Sequence, residues 1–281
     1  MPNTYLSLDT LKGTAALNIT GTAHDSRLLG LLEAASRQVD KYCNRVFFTY
    51  TESKKFDGDG GTELFIPDLV SVGTLIEDNN DDGTFDTTWA ATDYLLEPAN
   101  ANPTADWGRP YARVKVSLKS NGSQDVFIKG EQNYKVTGTW GYRHIIVDSG
   151  RNGTLTDGTA TSMVLDGTAA DLDVGQTCLV DSEQVYVTAL SGTAATVERA
   201  KNGSTGTAHT NTDVLIAQYP GPIVEAVLIQ AARLWKRKDS AYASVIGMPE
   251  TGQMTVFSGL DADVKELIGP YRKIPVGGFS G

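Results

Sequence analysis

The residues best suited to chemistry are a run of oxygen donors. Asp78, Asn80 and Asp82 alternate along Asp78-Asn79-Asn80-Asp81-Asp82-Gly83, and alternating oxygen ligands followed by a glycine suit a hard cation such as calcium. That loop type then needs a glutamate where this chain has Trp89, and helical flanks where these read as strands. The competing expectation is a hairpin loop rich in turn-forming Asp and Asn, and no metal ligand is assigned. His24, His144 and His209 fall in three separate segments with no ligand-like spacing to a cysteine or a second histidine, so structural or solvent-facing roles are expected. Cys43 and Cys178 lie in apolar patterns and read as buried thiols, with nothing indicating an oxidising compartment. Neither G-x-S-x-G nor G-x-x-x-x-G-K-[ST] occurs, and nothing singles out a pair among the 34 acidic residues. No catalytic residue and no cofactor is therefore assigned, and the chain reads as a non-enzyme. Two basic clusters remain. Lys236-Arg237-Lys238 fits either contact with DNA phosphates or a solvated helix end, and Tyr271-Arg272-Lys273-Ile274 either a docking peptide or a frayed terminus.

The elements that position these residues follow from periodicity. Leu28, Leu32, Ala35, Val39 and Tyr42 step by four and three, which lays one apolar stripe along a helix near 24–44, with Asp25 as its N-cap. Val224, Leu228, Ala231 and Trp235 repeat the rhythm in a helix near 222–238 led by Pro222. Shorter helices are predicted near 4–17, capped by Ser7 and weakened by Gly13, and near 261–268, ended by Gly269-Pro270. Residues 47–149 read as β, with clean alternation in Arg113-Val114-Lys115-Val116-Ser117-Leu118 and in Tyr134-Lys135-Val136-Thr137-Gly138-Thr139-Trp140. Strands are expected from Glu63 to Ile66 and from Val72 to Glu77, separated by Pro67. Residues 150–217 read as a further β insertion with short strands and small, threonine-rich side chains, in which Asp181-Ser182 is a hairpin turn. The expected fold class is α+β. Residues 1–46 and 218–281 form a small helical scaffold, 47–149 an antiparallel β module, and 150–217 an inserted small β barrel or sandwich.

Composition narrows the function classes. At 281 residues the chain is near the size where one core splits into two, and its 29 glycines mark many turns. A net charge of −10 and a pI near 4.8 repel nucleic-acid phosphates at long range, which weighs against sequence-specific DNA binding. Met1-Pro2-Asn3-Thr4 reads as no signal peptide, and no run approaches the ~18 apolar residues of a membrane span, so no membrane partner is expected.

The ordered blocks carry a resemblance. Leu28 to Leu32, Ala35-Ser36-Arg37-Gln38-Val39-Asp40 and Tyr42-Cys43-Asn44-Arg45-Val46-Phe47 resemble the first block of the tailed-phage head–tail connector (adaptor, gp6-like) proteins. Val136-Thr137-Gly138-Thr139-Trp140-Gly141-Tyr142 is similar to that family's strand leading back to the helical core. The proline-led helix with Ala231-Ala232-Arg233-Leu234-Trp235-Lys236-Arg237-Lys238, and the terminal Leu267-Ile268-Gly269-Pro270-Tyr271-Arg272, follow the family's order. The match departs at 150–217, which resembles small β modules of phage virion proteins. The resemblance implies a homo-oligomeric ring, commonly dodecameric, beneath the portal protein in the neck of the virion, assembled in the host cytoplasm. Such a ring joins the DNA-filled capsid to a stopper or tail-completion protein, and genomic DNA passes through its lumen without sequence recognition. Leu28, Leu32, Ala35, Val39, Tyr42, Val224, Leu228, Ala231 and Trp235 would build the ring's helical core. Tyr271, Arg272, Lys273 and Ile274 would dock on the portal, and Lys236, Arg237 and Lys238 would face DNA. Two alternatives stand beside it. One is a virion β module that binds a host receptor or glycan through 150–217, where Tyr186 is the single aromatic. The other is a hydrolase built on an unmarked carboxylate pair.

Overall fold

A computed structural model describes residues 3–80, 82–119, 122–240, 245–248, 252–255 and 259–274. The class is α+β, with antiparallel sheets. In chain order the elements are α1 (Leu8–Lys12), α2 (Asp25–Cys43), β1 (Tyr50–Gly58), β2 (Glu63–Glu77), β3 (Thr87–Thr88), β4 (Tyr94–Glu97), β5 (Tyr111–Val116) and β6 (Gly130–Trp140). There follow β7 (Ile145–Leu155), β8 (Ser162–Leu165), β9 (Thr177–Val180), β10 (Glu183–Ser191), β11 (Ala194–Lys201), β12 (His209–Gln218), α3 (Gly221–Lys236), β13 (Val245–Met248), β14 (Gly252–Thr255) and α4 (Ala262–Ile268). The chain divides into two compact units, one of Met1–Arg45, Ile146–Ala200 and Thr205–Gly281, the other of Val46–Ile145 with Lys201–Ser204.

In the first unit α2 packs against α3, with α1 and α4 against the pair. The α2 stripe is as expected along most of its length: Leu28, Leu32, Ala35 and Val39 are buried, joined by Leu31 and Cys43, while Tyr42 is only half-buried. The α3 stripe is rotated from the expected one. Ile223, Ala226, Val227, Ala231 and Trp235 are buried, whereas Val224 and Leu228 are half-buried. Apolar residues occupy both faces of α3, so spacing alone did not choose between them. Asp25 is not the N-cap of α2. His24 holds that position without a side-chain cap, and the Asp25 carboxylate instead accepts Lys12 Nζ at 2.7 Å, tying α1 to the start of α2. Ser7 does cap α1, accepting Thr10 N, but that helix is five residues long rather than running over 4–17.

Residues 3–6 are a buried strap instead of helix, because their polar groups find partners on other elements. Tyr5 N donates to Ser36 Oγ at 3.2 Å, Arg37 of α2 donates to Asn3 O at 2.9 Å, and Thr4 Oγ1 donates to Gly175 O at 2.6 Å. Leu8 N continues the seam by donating to Val174 O at 2.8 Å. The insertion resolves as a closed barrel in the order β10-β11-β8-β7-β12-β9. Its interior holds Leu155, Met163, Leu165, Cys178, Val180, Val185, Val187, Val197 and Val214. Asp181 turns β9 into β10 with φ 52°, pairing Glu183 with Val180. A separate antiparallel pair, β13 with β14, lies between α3 and α4 where no strand was expected.

The second unit is a sheet in the order β1-β6-β2-β5-β4, with β3 on β2. Here β2 is one long strand, not two. Pro67 has no amide proton to give a ladder, and it sits at the register shift between Phe65 and Leu69, where β2 passes from β5 to β6. The core of this sheet includes Leu64, Leu75, Val114, Val136 and a packed aromatic group. Trp89 stacks on Phe127 at 4.8 Å, and Tyr134 meets both rings edge-on. The Glu77 carboxylate is buried beside them and accepts Trp89 Nε1 at 2.7 Å and Tyr134 Oη at 2.8 Å.

The rotated α3 face gives a direct check. Val227→Ala, at a fully buried site, should lower the unfolding free energy by about 1–3 kcal/mol, and Val224→Ala by less than half of that. Denaturant melts of the two variants measure the difference; equal losses would restore the originally expected face.

Candidate functional site

The oxygen-rich loop spends its donors on its own backbone. Asp78 Oδ1 and Oδ2 accept the amides of Asp82 and Gly83 at 3.2 and 2.7 Å. Asp82 Oδ1 accepts Thr84 N at 2.8 Å, and Asn80 Nδ2 donates to Asp82 Oδ2 at 3.1 Å. These bonds lower the Asp82 pKa below the usual carboxylate value, the Thr84 amide first among them. Trp89, at the position where a calcium loop needs a glutamate, instead donates to Glu77. Asp81 lies outside the described residues. Among the described residues no group of three or more His, Cys, Asp or Glu side chains converges as a metal shell.

The three histidines occupy different environments. His24 packs its ring on Trp235 at 5.2 Å. His144 Nδ1 lies 3.2 Å from Thr49 Oγ1, and burial lowers its pKa. His209 belongs to a charged cluster in the barrel that sequence reasoning did not anticipate. Arg199 grips Glu183 with two parallel contacts, Nε to Oε1 and Nη2 to Oε2, each 2.7 Å. The remaining guanidinium protons go to the carbonyls of Asp157, Ala160 and Thr207. Glu183 also accepts the amides of Ala200 at 3.0 Å and Thr207 at 3.1 Å. The His209 ring lies between two carboxylates, Nδ1 2.8 Å from Asp181 Oδ2 and Nε2 2.9 Å from Glu183 Oε2. Burial of the Glu183 side chain by itself favours the protonated acid, but Arg199, His209 and the two amides outweigh it and hold the pKa near 2. The signal was in the alternation. Glu183 shares parity with Val185 and Val187, and Arg199 with Ala195 and Val197, so an acid and a base stand on the apolar faces of neighbouring strands.

A contrasting carboxylate sits on α2. Asp40 Oδ1 accepts the Tyr5 hydroxyl at 2.6 Å, and Oδ2 lies 3.1 Å from Arg37 Nε. Burial dominates there and raises the pKa to about 6, against the opposing pull of Arg37 and Tyr5.

The basic groups are partly engaged. Lys238 Nζ lies 3.7 Å from the centre of the Trp235 ring, Lys236 is exposed and Arg237 half-buried. Lys236 and Lys238 thus present positive charge at the end of α3 while Arg237 turns inward. The Tyr271–Ile274 stretch is anchored where fraying was the alternative. Lys273 N donates to Cys43 O at 2.8 Å, Arg272 lies over the Tyr42 ring at 5.7 Å, and Tyr42 Oη donates to Lys265 O. Ile274 is 77% exposed. Both cysteines are buried free thiols, and burial raises their pKa values to about 11 for Cys43 and about 12 for Cys178. No helix among the described residues is long and apolar enough to cross a membrane.

No protein-family model and no curated protein matches this chain. Among solved structures it is similar to a chain described as "Neck of empty GTA particle computed with C6 symmetry". Identity is 14%, the TM-score is 0.45, and the alignment covers 99% of this chain and 94% of that one. A likeness of this size says nothing about individual residues.

Two outcomes follow from this geometry. Calcium should leave the melting temperature unchanged; a rise of several degrees that Asp82→Ala abolishes would contradict the self-satisfied loop. For Asp40 the native pKa near 6 exceeds the ordinary 3.8, so the folded state holds a proton that the unfolded chain gives up. The Asp40 contribution is then fully present below about pH 4 and is lost as pH rises through 6, amounting to up to about 3 kcal/mol. Asp40→Asn should accordingly stabilise the protein at pH 7 and change little at pH 4, as read from urea melts at the two pH values.

Proposed function

We propose that this chain is a structural virion protein of the head–tail connector type, which assembles as a ring beneath the portal and joins the DNA-filled capsid to the tail. The observation that carries the reading is the packing of α2 on α3, two helices far apart in the chain that meet with α1 and α4 in one unit. Those helices hold the blocks that resemble the connector family, in the family's order. The role is structural, with no catalytic residue assigned.

In this reading the partners are further copies of the chain, commonly twelve, the portal protein, and a stopper or tail-completion protein. The net charge of −10 suits a channel wall, because an acidic surface does not grip passing phosphates. Lys236 and Lys238 are the residues proposed to face the DNA. Many identical weak contacts around a closed ring give high avidity without any strong single contact. Tyr271, Arg272, Lys273 and the exposed Ile274 are the residues proposed to dock on the portal. The receptor-binding alternative lacks support in the barrel. Its single aromatic, Tyr186, is 4% exposed and so offers no ring surface for a sugar to stack on.

The exposure of Ile274, beside the anchored Arg272 and Lys273, makes it the position to change. Ile274→Asp, at an exposed side chain, should leave thermal unfolding unchanged, yet heads and tails should accumulate unjoined in cells infected with virus carrying that allele. Normal virion yield would contradict the docking role. Mixing the purified chain with its portal and imaging by negative stain should show annuli with a central hole; dispersed monomers alongside intact portals would overturn the ring.

A further inference from the structure

We propose that copies of this chain dock head-to-tail through opposite charges, the outer face of β1 and β6 receiving the Asp181–Asp213 edge of a neighbour's barrel. The inference rests on the ring reading above and names the two surfaces that would close the ring.

The basic surface follows from strand alternation. Phe56, Tyr134, Val136 and Trp140 face the core of the sheet. The paired positions between them, Lys55 with Lys135, Ser53 with Thr137 and Thr51 with Thr139, therefore stand on the outer face. None of these six side chains is a carboxylate, in a chain whose net charge is −10. Lys55 and Lys135 are direct cross-strand partners, and like charges so placed destabilise a sheet. Both ammonium groups lie over one ring, Phe85, at 5.2 and 4.4 Å from its centre, which holds the two charges side by side. The acids that border them in sequence are engaged: Asp57 accepts Gln132 N at 2.6 Å, and Asp86 accepts the Thr87 hydroxyl at 3.4 Å.

The acidic surface is on the barrel. Residues 150–217 carry eight acidic side chains against three basic ones. Glu183 is consumed by Arg199, but Asp181 and Asp213 are open to solvent. Val214 of β12 pairs with Val180 of β9, so the next position on each strand sets Asp213 beside Asp181. The Asp181 side chain is 62% exposed, although its Oδ2 meets His209 Nδ1 at 2.8 Å. Each surface thus presents a like-charged pair, of opposite sign, and one contact between copies satisfies both. The two surfaces differ, so the contact is heterologous. Each copy gives its sheet to one neighbour and its barrel to the other, which is the arrangement that closes rings. DNA phosphates also suit lysines and hydroxyls, but they leave the Asp181–Asp213 pair unanswered, and the net negative charge opposes their approach.

The test mixes equal parts of 14N and 15N full-length protein and adds a carbodiimide, which joins a lysine amine to a carboxylate in contact with it. Mixed-isotope peptides linking Lys55 or Lys135 to Asp181 or Asp213 are expected, and they should fade above ~0.1 M salt, where the screening length falls below about 10 Å. Lys55→Glu/Lys135→Glu and Asp181→Asn/Asp213→Lys should each weaken self-association by about tenfold in sedimentation. Asn is chosen at 181 because it tolerates the left-handed backbone there, φ 52°. Mixing the two variants should restore association, since the reversed sheet then meets the reversed barrel. If either variant fails to fold, the links in the unaltered protein decide. Annuli on the portal without these links, or formed equally well by Lys55→Glu/Lys135→Glu, would overturn the interface and leave the ring standing. Links without annuli would keep the interface and overturn the ring, and absence of both would overturn both. Duplex DNA retained by the unaltered chain and lost in Lys55→Glu/Lys135→Glu, with no link between copies, would assign the face to DNA and overturn the proposal.

Discussion

In the helical unit α2 meets α3, α1, α4, the N-terminal strap and the C-terminal stretch, and the burial of that one helix is a constraint on which the unit depends. Its apolar stripe takes α3, its start is tied to α1 through Asp25 and Lys12, and its outer turns receive the N-terminal strap at Ser36, Arg37 and Asp40. Its last turn takes the C-terminal stretch through Cys43 O and Tyr42. A fully buried aliphatic side chain is worth roughly 1.5–3 kcal/mol, and α2 buries Leu28, Leu31, Leu32 and Val39. That gain has to exceed the entropy of closing the chain between α2 and α3. Closure entropy grows only logarithmically, by about 0.6 kcal/mol for each doubling of the loop. A long β excursion between the two helices is therefore affordable, provided that it folds on its own and adds no floppy chain. The barrel adds no floppy chain, because it closes its sheet and leaves no edge strand exposed.

Legibility followed the range of the interaction. Most of the α2 stripe, the Ser7 cap and the Asp181 turn are local patterns, and they stood in the sequence within a residue or two of their final places. The face of α3 was misread because Ile223 with Val227 and Val224 with Leu228 are equally apolar, and only the packed partner distinguishes them. The strap at 3–6 reads as helix until its donors and acceptors are found on α2 and the barrel. Pro67 looked like a strand end because a proline interrupts a ladder, yet a strand that changes partners needs no ladder bond at that point. The cluster at Asp181, Glu183, Arg199 and His209 is spread over four positions with no motif spacing, and only the closure of the barrel brings them together.

The buried carboxylates show three solutions to one problem. Glu183 has a guanidinium, an imidazole and two amides, and it stays ionised. Asp40 has one hydroxyl and one guanidinium at a poorer angle, so burial wins and raises its pKa to about 6. Glu77 is held by the neutral donors Trp89 and Tyr134, and burial and that carboxylate together push the Tyr134 hydroxyl's pKa well above its usual value. A buried ion pair is weak evidence of net stability, because desolvation offsets much of the attraction. Its firmer consequence is geometric. Arg199 reaches carbonyls at 157, 160 and 207, so the pair fixes two loops at one end of the barrel relative to each other.

If the chain assembles as the ring proposed above, fixed loops matter most, because it would then work by repetition. When many copies close a ring, an angular error in one subunit is multiplied by the number of copies, and a ring that misses closure becomes an open helix. Soft hinges inside the subunit would permit such errors. Here the devices that remove softness are local and polar: the Arg199 fork, the saturated Asp78 loop and the backbone bonds at the strap. Each contributes little net free energy, since hydrogen bonds to protein replace those to water. Each also forbids alternative geometries that apolar packing alone would tolerate, because a half-broken buried network is costlier than a shifted aliphatic contact. The apolar faces of α2 and α3 contribute stability to the unit, and the polar network restricts it to a single shape, which the proposed ring would require.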